Sequence, residues 1–172
     1  ENIVRFKAKI CLLGDPMVGK TSLVRKFVLD QFSDEYIPTV GTKVTKKEIS
    51  LFRNNKRYYI TFMVWAINGK REMLEESITD FRDFVPTSFM AGAEAVLFVC
   101  DLTRKPTLDH LKLWYQGLRS AVNKDVSCIL LGNKADMKDH AEITYDHIMA
   151  MNREWGFPFY YTLRRPGRTW RR

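Results

Sequence analysis

A chain of 172 residues with 45% hydrophobic content can bury one substantial core, which sets aside disordered and multi-domain classes. No apolar run approaches the length of a membrane span and no signal peptide is present, so a membrane-spanning or secreted class is not expected. Of the 28 basic residues, Arg164, Arg165, Arg168, Arg171 and Arg172 fall in the acid-free tail, leaving 23 basic against 20 acidic elsewhere; the net charge of +8 therefore implies no nucleic-acid partner.

In chain order, the apolar run Ile10-Cys11-Leu12-Leu13 closes a strand expected over 6–13. It runs into Gly14-Asp15-Pro16-Met17-Val18-Gly19-Lys20-Thr21, a complete P-loop, which opens a helix expected over 20–30 at Ser22-Leu23-Val24. Glycines let backbone N–H groups approach phosphate oxygens, and the helix N-terminus adds partial positive charge. Lys20 is placed to reach the outer phosphates, and the Thr21 hydroxyl to ligate Mg²⁺.

Strands are expected next over 43–53 and 56–65, joined by Asn54-Asn55 as a hairpin, which gives an otherwise parallel sheet one antiparallel edge. A helix over 72–85, a strand over 95–101 and a helix over 107–122 follow. Residues 126–132 read as a buried parallel strand leading into Asn133-Lys134-Ala135-Asp136. A carboxylate at the end of such a strand can accept from both N1–H and the exocyclic amine of guanine, a donor pair adenine lacks. Asp136 is therefore the base-selecting residue, Lys134 covers the ring and Asn133 ties this loop to the P-loop. A helix over 144–155 and a strand over 157–162 complete a mostly parallel six-stranded α/β sheet with helices on both faces and both signatures at the strands' carboxyl ends.

Cys11, Cys100 and Cys128 sit inside apolar strands and read as buried small side chains in a reducing cytoplasm. His110, His140 and His147 are scattered without metal-ligand spacing.

With its two signatures so ordered, the chain resembles a Ras-superfamily small GTPase from about Lys7 to Thr162, closest to Rab-like and Ras-like members. Residues 1–162 are expected to form that G domain, a P-loop NTPase fold, with 163–172 as an atypical basic tail. Phe32-Ser33-Asp34-Glu35-Tyr36-Ile37-Pro38-Thr39 resembles the first switch. The resemblance implies that Phe32 packs against guanine, Tyr36 closes over the phosphates, and Thr39 joins Thr21 as a metal ligand and reaches the γ-phosphate. It also implies GTP or GDP with Mg²⁺ as ligands and effector, exchange-factor or activator proteins as partners, read through Tyr36 to Val44 and Arg71 to Asp83. Lys20, Thr39 and Gly69 are the residues it places at the reacting phosphate.

Departures from the family pattern are informative. Val64-Trp65-Ala66-Ile67-Asn68-Gly69-Lys70-Arg71-Glu72 aligns with the second switch, with Ala66 where an Asp would orient metal-bound water and Lys70 where a Gln would orient the attacking water. Lysine cannot accept a hydrogen bond from that water. Pro16 removes one loop N–H. Slow unaided turnover is the expectation.

After Phe157-Pro158-Phe159-Tyr160-Tyr161-Thr162 the family continues Ser-Ala-Lys and a last helix, whereas this chain reads Leu163-Arg164-Arg165-Pro166-Gly167, which argues against a helix. Restoring one lost T ahead of a suitable back-translation of the tail yields Ser-Ala-Lys-Thr-Gly-Glu-Asn-Val-Glu-Glu, so a reading-frame slip is one account of it. Without the last helix, apolar sheet surface near Phe6 to Leu13 is exposed and self-association is expected. No prenylation box follows, and no membrane anchor is expected. Two functions stay open: a GTP-hydrolysing signalling or trafficking switch, and a non-hydrolysing guanine-nucleotide-binding interaction module.

Overall fold

The computed structural model describes residues 2–29, 42–68, 80, 82 and 86–163. Six strands form one sheet: β1 (Asn2–Leu13), β2 (Thr42–Arg53), β3 (Lys56–Ile67), β4 (Ala95–Asp101), β5 (Ser127–Asn133) and β6 (Phe159–Tyr161), in the order β2-β3-β1-β4-β5-β6. All neighbours are parallel except β2 and β3, whose antiparallel register runs from Thr42 opposite Ile67 to Arg53 opposite Lys56. Asn54 and Asn55 close that hairpin with φ of 50° and 59°, the left-handed pair a tight two-residue turn requires.

Among the described residues four α-helices accompany the sheet: α1 (Lys20–Leu29), α2 (Pro106–Asp109), α3 (Leu111–Ala121) and α4 (Tyr145–Asn152). Leu111, Trp114 and Leu118 recur at helical spacing along α3 and are buried against Phe98, Leu130 and Ile148. The opposite face of the sheet packs Leu12, Val64, Ala66 and Val99 against Val18 and Val24. The last residues of β1 and β4 are buried, so the loops that leave those ends start from packed backbone.

Several boundaries differ from the sequence reading. Strand β1 begins at Asn2, because β3 is long enough to pair with it from Lys56 onward. The helix expected over 107–122 is broken at His110 into α2 and α3. Helix α4 starts at a capping box between Thr144 and His147. It stops at Asn152, whose side chain donates to the Phe157 carbonyl at 2.7 Å and accepts from the Phe157 amide at 3.0 Å. Only Phe159–Tyr161 of the last expected strand pairs with β5. The helix expected over 72–85 lies outside the described residues.

Candidate functional site

The phosphate loop leaves β1 at Gly14 and becomes α1 at Lys20, with the first helical bond running from Leu23 N–H to the Gly19 carbonyl at 3.0 Å. Two glycines are required by contact as well as by conformation. A Cβ on Gly14, at φ 147°, would lie 2.2 Å from the Val99 carbonyl oxygen; one on Gly19, at φ 101°, would lie 2.3 Å from Asn133 Nδ2. Between them Met17 takes φ 66° and is exposed, whereas Val18 is buried. The chain is thereby wrapped around the Lys20 side chain.

Lys20 is 3% exposed, and its ammonium donates to the main-chain carbonyls of Gly14 at 2.6 Å and Asp15 at 2.7 Å. Burial pushes its pKa down from 10.5 to about 7, with nearby Asp15 partly opposing that fall. A cation held this way, with carbonyl dipoles as its hydrogen-bond acceptors, is poised to gain from an arriving polyanion.

The Asn133–Asp136 loop is fastened to this cradle. Asn133 Nδ2 donates to the Val18 carbonyl at 2.9 Å, and its Oδ1 accepts from the Thr162 hydroxyl at 2.8 Å. Thr162 also donates its amide to the Gly132 carbonyl at 2.9 Å, and its own carbonyl accepts from Ala135 N–H at 3.0 Å. Three segments therefore meet at one buried amide: the phosphate loop, the exit of β5 and the exit of β6. Asp136 is exposed beyond them, at the open side of the loop.

Lys134 has φ 65°, and its ammonium meets the buried carboxylate of Asp101 at 2.6 Å. Arg104 reaches the same carboxylate at 3.0 Å and donates to the Pro16 carbonyl at 2.9 Å. Burial pushes the Asp101 pKa up, but hydrogen bonds from Lys134 and Thr103 outweigh it and hold the carboxyl below its ordinary value. Asp101 thus joins the Asn133–Asp136 loop to the Gly14–Thr21 loop through two cations.

Asp15 is the other buried carboxylate among the described residues. One oxygen accepts from Trp114 Nε1 at 3.0 Å and the other stands 2.6 Å from His110 Nδ1. Neither partner emerges from the sequence reading, since 95 and 99 residues separate them from Asp15. The hydrogen bond to Asp15 raises the His110 pKa above its ordinary 6.5, against an opposing effect of burial.

Comparison with known sequences agrees with this arrangement. Residues 9–165 match the family model described as Ras family. The chain belongs to the Ras family. It is 36% identical over 146 residues to septum-promoting GTP-binding protein 1 of Schizosaccharomyces pombe, covering 85% of this chain and 62% of that protein. It is 30% identical over 151 residues to Ras-related protein SEC4 of Saccharomyces cerevisiae, covering 88% and 64%. Human Ras-related protein Rab-8B is 29% identical over 154 residues, covering 90% and 68%. The chain thus spans less than two thirds of the first two of these relatives.

Within this Ras-family fold, Ala66 is 1% exposed near the end of β3 and lines a cavity of about 40 Å³ together with Thr21, Val24, Arg25, Lys43 and Thr45. That volume exceeds the ~10–15 Å³ needed for one water. The wall holds hydroxyls and two cations but no carboxylate, so the chain's own donors do not suit a bare divalent ion. Thr21 fits Mg²⁺ only when phosphate oxygens arrive to complete the octahedron. Of the other sequence-derived site residues, Ser22 is exposed in the first turn of α1. Phe32, Tyr36, Thr39, Gly69 and Lys70 lie outside the described residues. Burial raises the thiol pKa of Cys11 to about 11, of Cys100 to about 12 and of Cys128 to about 11, which leaves all three as inert thiols. Among the described residues no helix is long and apolar enough to cross a membrane.

Proposed function

We propose that the chain is a guanine-nucleotide switch of the signalling or trafficking type that binds GTP and GDP with Mg²⁺ and hydrolyses GTP slowly. The observation that carries this reading is the bond from Asn133 to Val18, which fixes the Asp136 loop relative to the phosphate loop. A ligand that fits both must carry a base with the guanine donor edge and a phosphate chain.

Gly14, Asp15, Pro16, Met17, Val18, Gly19, Lys20, Thr21 and Ser22 take the phosphates through main-chain N–H groups, the Lys20 ammonium and the Thr21 hydroxyl, with Pro16 contributing no N–H. Phosphate oxygens give Lys20 charged acceptors in place of the Gly14 and Asp15 carbonyls. Asn133, Lys134 and Asp136 hold the base, with Phe32 against its edge. Tyr36, Thr39 and Gly69 close on the γ-phosphate, and loss of that phosphate releases them, which is the switch read by effector, exchange-factor and activator proteins on the cytoplasmic side. Mg²⁺, held by Thr21 and Thr39 with the nucleotide, supplies charge neutralisation at the phosphates.

Ala66 favours a second reading, a guanine-nucleotide-binding module that does not turn over. Its methyl group cannot orient metal-bound water, and Lys70 cannot accept a hydrogen bond from an attacking water. Denaturing the purified protein and separating what it releases by ion exchange tests the shared premise. GDP or GTP is expected, GTP alone would favour the second reading, and adenine nucleotide would overturn the base assignment.

A further inference from the structure

Phosphate loops gain affinity from positive charge, yet this one carries a buried carboxylate. Asp15 is 2% exposed, and its backbone carbonyl already engages Lys20. An uncompensated anion there competes with phosphate for the Lys20 charge. Two donors from the start of α3 meet it: the Trp114 indole at 3.0 Å and the His110 imidazole at 2.6 Å. The indole supplies a hydrogen bond without charge. His110 can supply a full positive charge, and its side chain is 17% exposed, open to protons from solvent.

We propose that His110 is a positioning residue of the phosphate loop, whose protonated form neutralises Asp15 and leaves Lys20 to the nucleotide, so that nucleotide retention is proton-linked. The inference rests on the guanine-nucleotide reading above. His110 stands at the junction of α2 and α3 with helical dihedrals, and from there its ring meets the phosphate loop one turn before Trp114. Among the described residues, the charged groups facing His110 are Asp15 from the phosphate loop and Asp109 from α2. Lys20, 6.0 Å from the Trp114 ring, is the cation across the loop. Both carboxylates favour the imidazolium and raise its pKa above 6.5.

The sign follows from reciprocity. A bound polyphosphate and a proton on His110 favour one another, so each strengthens the other's binding by the same factor. Retention is strongest below the pKa of His110 and weakens as pH rises through it. Neutral His110 can keep its Nδ1–H on Asp15, so the loop stays folded while the compensating charge is lost.

The test uses the full chain loaded with a fluorescent GDP analogue, with dissociation followed from about pH 6 to about pH 8.5 for the wild type and for His110→Asn, whose amide keeps a donor without titrating. The wild-type rate is expected to rise by about fivefold, the lower end of ordinary coupling factors, and the variant profile to be flatter. Parallel profiles would overturn the inference while leaving the nucleotide assignment intact; absence of GDP binding at every pH would overturn that assignment as well. A second readout, independent of nucleotide, is the ¹⁵N–¹H resonance of the Trp114 indole, assigned with Trp114→Phe. Its titration should be larger in the wild type than in His110→Asn, where Lys20 still titrates nearby, or than in His110→Gln should the first variant fail to fold. An indole shift that titrates equally in the variant removes His110 from the relay.

Discussion

The side-chain amide of Asn133 donates to the main-chain carbonyl of Val18 across 115 residues of sequence. That bond ties the Asn133–Asp136 loop to the Gly14–Thr21 loop. Asn133 spends its other polar atom on Thr162, so the amide is satisfied from both sides while only 8% exposed.

Asn133→Ala should therefore damage the site beyond the loss of one contact. It leaves the Val18 carbonyl and the Thr162 hydroxyl without their partner, at about 1–3 kcal/mol for a buried group left unsatisfied. Faster GDP dissociation, by about tenfold, together with a lowered melting temperature is the expected pair of results. Unchanged dissociation would show that the two loops hold their ligand separately.

Gly19→Ala attacks the same junction from the opposite side. The new methyl would sit 2.3 Å from Asn133 Nδ2 at a φ of 101°, so it meets both a clash and a forbidden conformation. Nucleotide binding by fluorescence titration should fall below detection while circular dichroism keeps the α/β signature. Retained affinity would mean that the loop relaxes around a Cβ.

Lys20 makes the stability of the nucleotide-free protein depend on pH. Its folded pKa of about 7 lies below its ordinary value of 10.5, so the unfolded chain binds more protons within that window. Stability should consequently rise with pH from about 7 upward, by on the order of 3 kcal/mol after discounting the full ~1.4 kcal/mol per pKa unit. Urea denaturation at the two ends of the window checks this, and Lys20→Met should flatten the difference. Equal slopes in both proteins would place the titration elsewhere.

Ala66→Asp combined with Lys70→Gln tests the slow-turnover reading. The Ala66 methyl borders a cavity of about 40 Å³, so a carboxylate has space, with Arg25 and Lys43 nearby to compensate its charge. Single-turnover phosphate release should increase by about 10–100-fold, the usual effect of restoring a group that orients a metal-bound ligand. A variant as slow as the parent would favour the non-hydrolysing module.

The order of strands and helices, the hairpin at Asn54-Asn55 and the two loop signatures were legible in the sequence because each is a local pattern. Hydrophobic runs specify parallel strands, and glycines at fixed offsets specify a loop that must approach phosphate closely. His110 shows where local pattern fails. In sequence it is a histidine in a helical stretch without ligand spacing; in the structure it ends α2 and faces a carboxylate 95 residues away. Trp114 is a core residue whose indole N–H also serves Asp15, 99 residues away. Arg104 likewise meets the Pro16 carbonyl, 88 residues away, only through the fold.

By itself, then, the sequence determined the fold class and the two loop signatures at the ends of β1 and β5, since backbone conformation and strand burial depend on neighbours along the chain. The tertiary structure alone decided how charge is balanced around them: Asp101 between Lys134 and Arg104, Asp15 between His110 and Trp114, and Lys20 buried with a depressed pKa. Electrostatic compensation depends on distance in space and on desolvation, and neither is encoded in spacing along a chain.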